Sequence, residues 1–353
     1  MEARVTRISV IVPCRNEAAH VDAFCEAVAA QRLPAGIGLE VLIADGESDD
    51  GTRAKLDARA AADARFVVID NPGRIVSTGL NACIARARGE VIARMDVHTT
   101  YADDYLAACL AALQASGAAN VGGPWRAEGE GAMERAIAAA FQSRWVAGGA
   151  RSRDLAYEGP VDTVYLGCWP RGVFARHGGF DETLVRNQDD EHNLRLVKAG
   201  ELVWQTPSAR SSYRPRASLG RLFEQQRQYG AWKPAVWAKH RRAGSWRPFA
   251  PGALVGALAV LGLATASSPW LPLETAAWVQ LAFGLLLGSY ALYLIAATAV
   301  IARTLPRPRG EVAGDLPAVI ATMQLGYGIG LWQGVPGLLR ARRGAPADAR
   351  LSR

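Results

Sequence analysis

The chain has 353 residues, half of them hydrophobic, and a formal net charge of +7. That length allows one large domain or two smaller ones. The basic excess comes without a nucleic-acid-binding motif, so no nucleic-acid partner is expected, and its position beside apolar stretches suits an anionic membrane surface. Five cysteines (Cys14, Cys25, Cys83, Cys109, Cys168) form no Cys-x-x-Cys pair, which excludes zinc-type spacing and suits reduced thiols.

From the N-terminus, "ISVIVP" is apolar and β-branched, as a strand buried on both faces should be. It is too short and strand-like for a signal peptide, which places this part in the cytoplasm. Residues 17–32 carry apolar positions at helical spacing. "LEVLIAD" is a second strand and Gly51 to Ala62 a helix; "RFVVID" is a third strand and Thr78 to Arg88 a helix; "EVIARMD" is a fourth strand. Such alternation predicts a mostly parallel sheet with helices on both faces. Ligands of such sheets bind beyond the carboxyl ends of the strands. Polar residues gather there: Arg15, Asn16 and Glu17; Asp45, Gly46, Ser48 and Asp50; Asn71 and Gly73; Asp96 and His98.

Residues 219–248 mix Trp232, Trp237 and Trp246 with Lys and Arg, a pattern that suits the headgroup layer. Beyond them, 249–302 holds a single charge, Glu274. Phe249–Ser268 has the length to span a bilayer, and Thr275–Ala302 can span with tilt. The uncharged connector "PWLPLE" and the arginines of "RTLPRPRGE" put the connector outside and the arginines inside. Leu316–Leu339 contains Pro317, Gln324, Gln333 and Pro336 and is flanked by arginines; it reads as a re-entrant or interfacial segment, with a third span as the alternative. The expected organisation is a catalytic domain over 1–215, an amphipathic interface segment over 216–248, a transmembrane or re-entrant helical region over 249–340 and a basic tail over 341–353.

Five stretches, "VIVPCRNEAAHV", "IADGESDDGT", "GLNACIARARGEVIARMDVH", "GCWPRGVFARHGGFDE" and "NQDDEHNLRLVKAG", follow in the order seen in inverting family 2 glycosyltransferases. The chain most resembles the membrane-bound enzymes of succinoglycan-type exopolysaccharide synthesis, whose pattern also has Asp-x-His where most relatives have Asp-x-Asp. The resemblance implies a GT-A fold. It further implies transfer of one hexose from a nucleoside-diphosphate sugar, with UDP as the family's usual nucleotide, to a polyprenyl-diphosphate-linked sugar.

Within that resemblance, Pro13, Arg15 and Glu17 line the base and ribose pocket and Asp45 contacts the base. Gly73, Arg74 and Asn81 lie near the donor. Asp96 and His98 are the expected ligands of a divalent cation that neutralises the departing diphosphate. An imidazole nitrogen is congenial to Mn²⁺ and less so to Mg²⁺, so Mn²⁺ is the expected ion. Asp189 is the expected base, with Gln188 standing where relatives carry Glu, and Asp190 is the alternative. "EQQRQYGAWK" resembles an acceptor-holding Gln-x-x-Arg-Trp region in altered form. It keeps Gln225 but has Gln228 and Tyr229 in place of Arg and Trp, which argues for single addition. Arg227 or Lys233 is the candidate for a lipid diphosphate. Three rivals stand beside this reading: glycosylation of polyprenyl monophosphate itself, a non-catalytic nucleotide-binding membrane receptor, and a polymerising synthase. A homo-oligomer stays open. His177 and His192 are expected to be structural or solvent-facing.

Overall fold

The computed structural model describes residues 5–241, 246–307 and 309–341. The chain divides into two compact units. The first comprises the described residues up to 126 together with 150–214; the second takes in 127–149 and the helices after 215. The expected basic tail lies outside the described residues, apart from its first residue.

The first unit opens with β1 (Arg7–Cys14), α1 (Val21–Ala29), β2 (Gly38–Asp45), α2 (Thr52–Ala62), β3 (Phe66–Asp70), α3 (Val76–Arg86) and β4 (Val91–Arg94). It continues through β5 (Thr99–Tyr101), α4 (Tyr105–Ser116), β6 (Asn120–Gly123) and β7 (Arg126–Ala127). The chain then enters the second unit with α5 (Ala132–Gln142) and α6 (Arg144–Ala147). It returns with β8 (Gly159–Pro160), β9 (Tyr165–Pro170), α7 (Gly172–His177), α8 (Gln188–Lys198), β10 (Val203–Gln205) and β11 (Ser211–Tyr213).

The main sheet runs β3-β2-β1-β4-β9-β6-β10-β8. Its first four strands are parallel, with Ile8 opposite Leu39 and Val91. Strand β9 is antiparallel to both β4 and β6, so the sheet is mixed beyond the four strands visible in the sequence. Val10 and Val12 of β1 face one apolar layer with Phe24, Leu56 and Leu106 from α1, α2 and α4. Ile11 faces the other, with Leu80, Val173 and Leu196 from α3, α7 and α8. Alternate residues of one strand thus enter opposite layers, and a strand buried on both sides reads as a continuous apolar run. A smaller sheet pairs β5 with β11, Thr99 opposite Tyr213.

The second unit is helical: α5 and α6, then α9 (Leu219–His240), α10 (Phe249–Ala266), α11 (Leu273–Thr304) and α12 (Gly310–Ala341). Helices α10 and α11 are long and apolar enough to cross a membrane. Their apolar side chains are mostly uncovered: Leu263 is 71% exposed, Trp278 71% and Leu292 67%. A core helix of a water-soluble domain would bury these groups.

The stretch read as a re-entrant or interfacial segment, or a third span, lies within one helix, α12. Its polar residues are satisfied by neighbouring helices rather than by a break in the backbone. Tyr290 Oη donates to Gln324 Oε1 at 3.0 Å, and Gln324 Nε2 donates to Tyr293 Oη at 2.8 Å. The basic aromatic segment is helical as far as His240, but a face of α9 that includes Leu222, Gly230 and Pro234 is buried. Glycines bring α9 and α12 together. A Cβ on Gly330 would collide with the Arg227 carbonyl, one on Gly334 with that of Ala231, and one on Gly326 would crowd that of Phe223. Both series step by four residues, so the two helices run in the same direction with their backbones in near contact, as small residues at every fourth position permit.

Candidate active site

Three of the four parallel strands end in a non-glycine residue with left-handed backbone: Asn16 after β1 (φ 56°), Glu47 after β2 (φ 56°) and Arg74 after β3 (φ 58°). Such conformations are uncommon for residues with a Cβ and persist where surrounding contacts hold them. The contacts are present. Asn16 N donates to Ser48 Oγ at 2.9 Å, Asp49 N donates to Asn16 Oδ1 at 3.0 Å, and Ser48 Oγ donates to Asp45 Oδ1 at 2.6 Å. Glu17 N donates to Thr52 Oγ1 at 2.8 Å. Arg74 pairs with Glu47, and Gly73 leaves room for the Thr78 side chain. Gly46 does the same for Arg15, whose side chain lies 3.2 Å from where a Cβ would stand. Arg15 Nε is buried without a hydrogen-bond partner among the described residues. Asp45 is buried, with Arg53 Nη1 3.9 Å away. Pro13 lies opposite Ala44 at the same rim.

The fourth strand supplies the centre. β4 ends at Arg94, two residues before Asp96. Tyr101 from β5 turns the chain: Asp96 N donates to Tyr101 Oη at 2.7 Å, and that hydroxyl donates back to the Asp96 carbonyl at 3.2 Å. Burial, with the charge of Asp96 added, pushes the Tyr101 and Tyr165 phenols up, so both stay protonated and able to donate. Arg94 grips Asp96 through two parallel bonds, Nε to Oδ1 at 2.9 Å and Nη2 to Oδ2 at 3.0 Å. Burial alone would lower the Arg94 pKa; the charges of Asp96 and then Asp189 outweigh it and raise it. Both carboxylates therefore act on one guanidinium. His98 Nδ1 lies 3.5 Å from Glu17 Oε1, which ties the end of β4 to that of β1. Beside them His98 meets Tyr213 edge-on, Tyr213 meets Trp125, and Trp125 stacks on Tyr165 with ring centroids 5.7 Å apart.

Asp189 and Asp190 occupy the first turn of α8, half-buried, after Asn187 in the left-handed region. Asp190 N donates to Asp189 Oδ1 at 2.9 Å. A carboxylate at a helix start is favoured by the dipole. The next residue, Glu191, is fully buried and paired with Arg195, which also donates to the carbonyls of His177 and Gly179. Helix α8 is thereby pinned to the turn before it. His192, buried among Trp169, Phe174 and Phe180, is pushed down to about 4 by burial and then by the charge of Arg195. It is a neutral core residue.

Two sequence-based candidates have polar groups engaged within the protein. Asn81, expected near the donor, holds the turn ahead of α8: Nδ2 donates to the Phe180 carbonyl and to Glu182 Oε1, both at 2.8 Å, and Phe180 N donates to Oδ1 at 2.8 Å. Arg227, a candidate for a lipid diphosphate, pairs with Glu224 at 2.6 Å and donates to Gln333 Oε1 at 2.8 Å within the second unit. Gln225 is buried, with Nε2 3.4 Å from Tyr229 Oη, while Lys233 is half-buried on the same helix. Arg94 was missed, although a charge inside a buried strand is itself a signal.

Among the described residues no three His, Cys, Asp or Glu side chains gather as a metal cage. The donor chemistry still fits a divalent cation shared with a diphosphate. An ionised carboxylate offers about four lone-pair sites, of which the Arg94 fork occupies two, and the His98 side chain is 48% exposed. Asp96 and His98 are the residues that would hold such an ion.

Residues 9–170 match the model of glycosyl transferase family 2. Over 252 residues the chain is 33% identical to the succinoglycan biosynthesis protein ExoA of Rhizobium meliloti (strain 1021), covering 71% of this chain and 76% of that protein. Over 238 residues it is 29% identical to a Methanococcus voltae dolichyl N-acetyl-alpha-D-glucosaminyl phosphate 3-beta-D-2,3-diacetamido-2,3-dideoxy-beta-D-glucuronosyltransferase, covering 64% of this chain and 72% of that protein. The fold is similar to that of the mannosyltransferase PcManGT from Pyrobaculum calidifontis, solved in complex with GDP-Man and Mn²⁺. That likeness has a TM-score of 0.57 at 18% identity and covers 95% of this chain and 88% of that one. The expected GT-A fold is the fold found, and the chain belongs to glycosyl transferase family 2.

Proposed function

We propose that this glycosyltransferase moves one hexose, with inversion, from a nucleoside-diphosphate sugar to a hydroxyl of a polyprenyl-diphosphate-linked sugar at a membrane surface. The main support is the pair of carboxylates at element ends: Asp96, on the donor side of this reading, gripped by the buried Arg94 after β4, and Asp189, on the acceptor side, in the first turn of α8. Further support comes from the uncovered apolar helices α10 and α11; crossing the bilayer keeps the enzyme in the plane of a lipid-borne acceptor. The catalytic unit then lies on the cytoplasmic side and the protein is multi-pass.

In this mechanism Asp45 and Glu17 fix the nucleoside, with Pro13, Gly73 and Arg74 lining its pocket, and the half-buried Arg15 turns its guanidinium toward the diphosphate. Asp189 takes the proton from the acceptor hydroxyl as that oxygen bonds to the sugar carbon from the face opposite the leaving group. The bond from that carbon to the diphosphate breaks, and the nucleoside diphosphate leaves with the electron pair. A divalent cation on Asp96 and His98, Mn²⁺ in our reading, supplies Lewis-acid neutralisation of the leaving charge when bound. UDP is the nucleotide of choice by family habit; GDP, the nucleotide in the solved mannosyltransferase complex, is the alternative. The candidates for the acceptor diphosphate are Arg227 or Lys233, with Gln225 on the same helix.

The test is nucleoside-diphosphate release by the full-length protein in lipid, with UDP- and GDP-hexoses, Mn²⁺ and a polyprenyl-diphosphate-linked sugar. Release that needs the lipid-linked sugar supports the proposal. Release equally fast with polyprenyl monophosphate, and undiminished in Asp189→Asn, would favour transfer to the lipid phosphate, which needs no base.

A further inference from the structure

We propose that Arg94 is a positioning residue of the transfer reaction: its two parallel hydrogen bonds fix the Asp96 carboxylate in the orientation that meets the donor's cation. The inference rests on the function proposed above and assigns a role to a residue that touches no substrate.

Two observations carry it. First, Arg94 is a buried charge in a four-residue strand, paired in register with Ile11 of β1. Desolvating a guanidinium is expensive, and replacing a buried ion pair with apolar side chains is often neutral or stabilising. Stability alone therefore gives this pair little reason to exist, whereas orientation does. Second, the contact is two-pronged, at 2.9 and 3.0 Å. A planar fork sets the plane of the carboxylate as well as its position. It turns two of the oxygen lone-pair sites inward and leaves the others for a cation. The main chain is held as well, by the Asp96 N to Tyr101 Oη bond, so both ends of Asp96 are fixed before any donor arrives. Partners that orient a metal ligand in this way typically change metal affinity about 10–100-fold when removed.

The experiment titrates Mn²⁺ into full-length protein in detergent, with UDP and separately with GDP, and follows the free-ion signal by electron paramagnetic resonance. Arg94→Lys keeps the charge but loses the fork; Arg94→Gln keeps the amide donors without the charge. Each variant's thermal melt is recorded alongside. The proposal predicts a chain folded as in the wild type that binds Mn²⁺ about 10–100-fold more weakly, Lys included. A folded variant with wild-type Mn²⁺ affinity overturns it. Unfolding of both variants overturns it equally, because Arg94 would then be a structural ion pair. Wild-type protein that takes up no Mn²⁺ with either nucleotide sinks the functional reading itself, and that failure is seen before any variant is made.

Discussion

In the first unit the tightest packing is between branched side chains: Ile8, Val10, Ile11 and Val12 of a single strand are fully buried in two layers. In the second unit it is between backbones, where Gly326, Gly330 and Gly334 let α12 settle against the carbonyls of α9. The outer surfaces differ as well. The first unit ends its strands in a rim of hydrogen-bonded carboxylates and arginines; the second leaves Leu263, Leu273 and Leu292 uncovered. Burying apolar side chains away from water stabilises the first. If the second unit lies in lipid, as proposed above, that driving force is absent between its helices and close van der Waals packing takes its place. The two units should therefore respond differently to the same kind of change.

Asp189→Asn should give the largest effect, a loss of turnover of about 10²–10⁴-fold, with an unchanged melting temperature, because it removes a base and no packing atoms. Gly330→Ala should destabilise the helical unit by about 1–3 kcal/mol or more, since the neighbour is backbone and cannot swing aside. Gly220→Ala, where nothing lies within 4 Å, should be stabilising by about 0.5–1 kcal/mol. Melts in detergent compare the two, and equal effects would remove the role given to close backbone contact between α9 and α12.

His192 gives the corresponding test in the first unit. Burial holds its folded pKa at about 4, below the unfolded value of about 6.5. The unfolded chain thus binds the extra proton first, and stability present above that unfolded value is lost as pH falls toward the folded one. The difference is about 3 kcal/mol at most. His192→Phe should flatten this part of the stability-against-pH curve; an unchanged slope in that variant would show that the histidine does not carry it. Arg227→Met should matter least, about 0–1 kcal/mol, because its pair with Glu224 is partly exposed. A turnover loss of tenfold or more in Arg227→Met would place that residue in the acceptor site.

The four parallel strands could be read from the sequence because doubly buried strands are unbroken β-branched runs, and Asp45, Glu17 and Asp96 followed from their places at strand ends. Asp189 came from resemblance; the periodicity of "QDDEHNLRL" alone describes only an acidic helix start. The reversal at β9 was hidden, since pairing direction depends on chain far away in sequence. So was the α9–α12 pairing: the glycines of "LGYGIGLWQG" are visible, but their partner carbonyls are not. Pro317, Gln324 and Pro336 left the segment open between re-entrant, interfacial and spanning, and the tyrosines that satisfy Gln324 lie on another helix. The partners of Asn81 and Arg227 were hidden for the same reason, as several of them are residues that only the fold brings near.

The central claim is that a cation held by Asp96 joins the nucleoside diphosphate to the strand-end rim. Isothermal titration of UDP and GDP into the full-length protein, with and without Mn²⁺, compares the wild type with Asp96→Ala. The account predicts Mn²⁺-dependent binding that falls about tenfold or more in the variant. Metal-dependent binding of equal strength in both proteins would contradict it.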